Sequence, residues 1–113
     1  MQDIKSTTTV RDIINKAVED VSEICDIHKS LIFSRSRQED VATARFFLYT
    51  ILRNSGFTWV HIGEIMKRDH GAAVMGYRRL GMRLLCNEKL LIKMRDDLIE
   101  RGWRFKEYIL NDN

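Results

Sequence analysis

The chain has 113 residues, 44% hydrophobic and 31% charged, with a formal net charge of +3 and no proline. That length suits one domain with a modest core, and the composition excludes a disordered chain. No apolar run approaches the length of a membrane span, and the start, MQDIKSTTTV, lacks the basic-then-apolar layout of a signal peptide.

Cys25 and Cys86 are the only cysteines, read as free, mostly buried thiols of a reducing cytoplasm. The absence of proline and the abundance of Leu, Ile, Arg, Lys and Glu favour helix throughout. Charge is unevenly spread. Residues 1–34 carry four basic and six acidic side chains, residues 35–95 carry twelve and five, and residues 96–113 carry three and five. A basic middle between acidic ends fits a face that meets a polyanion, and equally a solvated helical surface that favours arginine.

In chain order, Thr9 caps a first helix whose apolar face is Val10, Ile13, Ile14, Ala17, Val18, Val21 and Ile24. Residues 26–33 suit a short second helix capped by Asp26. The stretch SRSRQED, 34–40, holds no apolar residue and reads as an exposed loop carrying Arg35 and Arg37. Asp40 is placed to cap a third helix that buries Val41, Ala44, Phe47, Leu48, Ile51 and Leu52, with Arg45 and Arg53 off that stripe. Asn54-Ser55-Gly56 ends it.

Thr58 caps a short fourth helix, 59–66, with Ile62 and Ile65 inward. After a tight turn, Asp69 caps a fifth helix to about Leu85, with Val74, Tyr77, Leu80 and Leu84 inward. Asn87 caps a sixth, 88–101, burying Leu90, Leu91, Met94 and Leu98. The tail holds Trp103, Phe105 and Tyr108, which suit a short extended piece or another helical turn. The expectation is a single all-α domain over 1–113, with a core at 10–101, an aromatic tail at 102–113, about six helices and one helix-turn-helix.

The stretch KRDHGAAVMGYRRL, 67–80, crowds polar groups at one end of the fifth helix and then has almost no side-chain bulk. A helix that enters the major groove needs this: its amide end favours phosphate, and small residues let the backbone approach base edges. Arg68 suits phosphate or guanine, Asp69 a cytosine amino group, and His70 a base or a thymine methyl. The same residues also fit a plain helix cap followed by close packing against a neighbouring helix.

IGEIMKRDHGAAVMGYRRL, 62–80, resembles the signature of the C-terminal DNA-binding domain of the bacterial replication initiator DnaA. That signature runs Ile-Gly, then Arg-Asp-His, usually a pair of hydroxyl residues, then a basic helix. SRSRQEDVATAR, 34–45, is similar to the family's basic loop and the helix after it, and VSEICDIHKSLIFS, 21–34, to the segment before. The resemblance covers roughly residues 10–85. It implies sequence-specific binding to double-stranded DNA, like recognition of a DnaA box at a replication origin, in initiation or its regulation.

Residue by residue, the resemblance implies that Arg37 enters the minor groove beside Arg35. It makes Arg45 and Arg53 backbone contacts, and Trp59 and Val60 phosphate neighbours. Arg68, Asp69 and His70, with Gly71 and Ala72, form the base-reading end. Lys67, Arg78 and Arg79 add phosphate contacts. Three departures stand out: Gly71-Ala72 replaces the hydroxyl pair, Glu39 a basic loop residue, and Phe46 a polar one.

No ATP-binding motif is present, so no ATPase activity, catalysis or cofactor is expected. Cys25-x-x-His28 has a metal-like spacing, but His61, His70 and Cys86 supply no second pair, so no metal is expected. His61 and Glu64 share a helix face as surface groups. The rival reading is a protein-interaction module that kept this fold and binds a replication initiator protein or another replication protein, through helix 88–101 and the aromatic tail.

Overall fold

The computed structural model describes residues 8–106, which form six α-helices with no strand among them. α1 (Val10–Cys25) starts with a complete capping box: Thr9 accepts from the Asp12 amide, and Asp12 accepts from the Thr9 amide. It ends at Asp26, which is left-handed at φ 57. Asp26 therefore closes α1 and does not open the next helix. The cap of α2 (Lys29–Ile32) is His28, whose Nδ1 accepts from the Ser30 amide at 3.1 Å.

α3 (Glu39–Asn54) begins after Gln38, so Asp40 lies inside its first turn and is not its cap. Thr58 caps α4 (Trp59–Met66) by accepting from the His61 amide at 3.1 Å. α5 (His70–Leu85) follows Asp69. Asn87, at φ 62, terminates α5, and Glu88 is the cap position of α6 (Lys89–Glu100).

α3 is the central helix. The expected stripe is buried, and so are Thr43, Arg45, Tyr49 and Thr50 on its other sides. α1, α4 and α5 pack around it. α5 presents Ala73, Gly76, Leu80, Gly81 and Leu84 inward, while Val74 and Tyr77, expected inside, are half-buried. The small residues set the spacing: a Cβ on Gly76 would sit 2.5 Å from Phe46 Cδ1 and 2.9 Å from Tyr49 Cδ2. α6 buries Leu91 and Leu98 and half-buries Met94, but Leu90 is 65% exposed, contrary to its expected burial.

Residues 103–106 are neither helix nor strand, and they fold back on the core. Trp103 is buried and its Nε1 donates to Asp20 Oδ2 at 2.8 Å; Phe105 meets Phe47 edge-on at 6.1 Å. Tyr108 lies outside the described residues. Asp20 also accepts from Lys16 Nζ at 2.7 Å and from Arg101 Nη1 at 2.9 Å, tying α1 to the end of α6. Burial pushes the Asp20 carboxyl up, but hydrogen bonds from Lys16, Trp103 and Arg101 outweigh it and hold the group below its ordinary 3.8.

The cysteines differ from the expectation in one respect. Cys25 is half-buried with Sγ 4.0 Å from Met94 Sδ, and burial pushes its thiol up to about 12. Cys86 is exposed, because α5 ends there. Among the described residues no helix is long and apolar enough to cross a membrane.

Candidate nucleic-acid interface

The helix-turn-helix is α4, residues 67–69 and α5. α4 stops because Lys67 is left-handed at φ 54, and its amide bonds back to Glu64 O at 3.3 Å. The next amide, of Arg68, donates to Gly63 O at 2.9 Å. A Cβ on Gly63 would lie 2.7 Å from Arg68 O and 3.2 Å from His70 N, so only glycine lets the turn fold this tightly over α4. Asp69 occupies the cap position through its backbone: its carbonyl accepts from Ala72 N at 3.0 Å and Ala73 N at 3.4 Å. Its side chain makes no capping hydrogen bond, and the carboxylate lies close over Gly71, where a Cβ would come within 2.9 Å of Oδ2.

Of the three small residues, Ala73 alone is core, at 1% exposure. Gly71 is half-buried, and Ala72, His70 and Asp69 are exposed. The first turn of α5 thus offers solvent a bare backbone flanked by two polar side chains.

The loop before α3 is held against this turn by two arginines. Arg45 was expected at the surface on a DNA phosphate. It is instead 6% exposed, because α2 and the loop fold over it. Its Nε donates to Ile32 O at 2.8 Å and its Nη1 to Ser36 O at 2.7 Å. Its Nη2 donates to Ser34 O at 2.5 Å and Leu31 O at 3.3 Å. Burial, and then the nearby Arg68 charge, lower the Arg45 pKa from its ordinary value. Arg68 is half-buried, and its Nη2 donates to the same Ser34 carbonyl at 2.6 Å. Its Nε is buried with no hydrogen-bond partner among the described residues.

Arg35 and Arg37 themselves are exposed on this pinned loop. Arg37 lines one groove with Phe46, Met75, Arg78, Arg79 and Met82. Lys67, Arg78 and Arg79 are exposed. Arg53 stacks over the Trp59 ring at 4.9 Å and donates to Phe57 O at 3.2 Å. Trp59 is half-buried, edge-on to Tyr77 at 5.2 Å, and Val60 beside it is 56% exposed. Glu39, the acidic departure, forms an ion pair with Arg83 at 3.4 Å, and Arg83 also holds Glu88 at 2.9 Å.

The loop arginines and the start of α5 therefore share one side of the fold, linked at Ser34. Among the described residues no group of three His, Cys, Asp or Glu could hold a metal; Cys25 contacts Met94, and His28 is spent as a cap. His61 packs on Phe57 at 5.1 Å. Met75, 51% exposed in the groove beside the arginines, was left off the inward face of the fifth helix in the sequence reading but given no role, because no motif marks it. No protein-family model matches the chain, and no curated protein or solved structure matches it significantly.

Proposed function

We propose that this chain binds double-stranded DNA in a sequence-specific way, without ATPase activity or other catalysis. The observation that carries the reading is the shared Ser34 carbonyl. Through it Arg68, in the turn before α5, and Arg45, under the basic loop, hold the loop and the bare start of α5 as one unit. In this reading α5 enters the major groove with Asp69 and His70 at base edges, and with Gly71 and Ala72 permitting close approach. Arg37 reaches the adjacent minor groove. Arg35, Arg53, Lys67, Arg78 and Arg79 neutralise phosphates, with Trp59 and Val60 beside them. Arg45 drops out of the phosphate set and Arg68 out of the base-reading set, and both become supports for the loop. The resemblance of 62–80 to the DnaA signature supports a role at a replication origin or in its regulation, with an initiator protein as a second partner.

Binding to a random duplex as salt is raised tests the reading. Each phosphate neutralised should contribute a slope of about −0.9 in log affinity against log salt, and Arg53→Ala should lower the total by roughly one such increment. Selection from a random pool should then yield a preferred site. Absence of binding even at low salt would overturn the reading in favour of the protein-interaction module.

A further inference from the structure

We propose that α5 recognises the 5-methyl group of a pyrimidine in the major groove through Met75; this rests on the DNA-binding reading above and adds the chemistry read beyond its polar end. Met75 is 51% exposed on a helix whose opposite face is core. Its surface neighbours on α5, three and four residues away, are Gly71 and Ala72 on one side and Arg78 and Arg79 on the other. At about 100° per residue, the two arginines fall roughly 60° and 40° to either side of the Met75 direction. In a helix lying in a groove, side chains so splayed reach the phosphate walls, and the one between them faces the floor.

Direction along the helix adds to this. Helical side chains lean toward the N-terminus, and the turn on that side of Met75, with Gly71 and Ala72 on the same face, adds no side-chain bulk between it and a base edge. Apart from Asp69 and His70, the groove-facing part of this end then has no hydrogen-bonding side chain: Gly71, Ala72 and Met75 are all without a donor. A thioether is polarisable and a weak acceptor. Set against a base edge that needs a partner, it would leave that edge dry and unpaired. The one apolar group that a base pair displays in the major groove is a pyrimidine 5-methyl. Thymine and 5-methylcytosine both carry it.

The test uses the duplex that selection yields, with each thymine replaced singly by uracil, which removes the methyl group alone. A parallel set methylates each cytosine at C5. At one or two adjacent positions, uracil should weaken binding roughly fourfold, the equivalent of one buried methyl at about 0.8 kcal/mol. If only cytosine methylation raises affinity, the methyl source is 5-methylcytosine and the proposal stands. Met75→Gln, checked for unchanged helicity, should still bind but lose the difference between methylated and unmethylated duplexes. Tight binding that is indifferent to every methyl, or a methyl preference that survives Met75→Gln, overturns this proposal and leaves the DNA-binding reading intact. Failure to bind any duplex overturns both.

Discussion

Arg45 and Arg53 stand eight residues apart on α3 and look alike in the sequence, yet their environments are opposite. Arg53 is exposed and lies over Trp59, whereas Arg45 is buried under four backbone carbonyls. Removing the Arg45 guanidinium would take the donor from the carbonyls of Ile32 and Ser36, while Ser34 O keeps Arg68 and Leu31 O keeps Ser34. Arg45→Ala should therefore cost about 3 kcal/mol in urea unfolding, while Arg53→Ala should cost no more than about 1 kcal/mol. Equal, small effects would show that Arg45 does not hold the loop. The buried arginine was not legible in the sequence because its partners are main-chain oxygens, which every residue possesses. Arg37 was legible as an exposed loop residue, since nothing apolar surrounds it between 34 and 40.

At the level of elements, the helix starts read from Thr9, Thr58 and Asp69 were right, and those read from Asp26, Asp40 and Asn87 were not. Thr9 and Thr58 each accept a backbone amide at the start of a helix. Asp26 and Asn87 instead end helices, at φ 57 and φ 62. Asp and Asn are favoured at N-caps and also tolerate the left-handed region, so sequence alone does not tell one role from the other. The turn between α4 and α5 was legible as a turn, but the reason for its glycine was not. Gly63→Ala puts a methyl 2.7 Å from the Arg68 carbonyl, a backbone atom that cannot swing aside. It should cost about 1–3 kcal/mol, with lowered discrimination between DNA sites as α5 is displaced. Gly76→Ala meets the Phe46 and Tyr49 rings and should cost a similar amount while disturbing the α3–α5 contact. Wild-type melting of either variant would mean that the helices are not this closely packed.

Across the whole molecule, residues far apart in the chain are joined by one carboxylate. Asp20 on α1 ties that helix to the end of α6 and to Trp103 by binding Lys16, Arg101 and Trp103. Its carboxyl is held below the ordinary 3.8, so the unfolded chain takes up a proton at this site before the folded one does. The resulting stabilisation is complete above about pH 4 and is lost as pH falls through the folded value. Asp20→Asn should flatten that acid limb of a stability–pH profile; an unchanged profile would contradict the network.

In the proposed function the exposed start of α5 meets base edges. This is tested most directly by the affinities of wild type and His70→Ala for the selected duplex and for a random one, at one salt concentration. The expected result is a loss of about 1–3 kcal/mol on the selected duplex and a much smaller loss on the random one. An equal loss on both, or none on either, would contradict it.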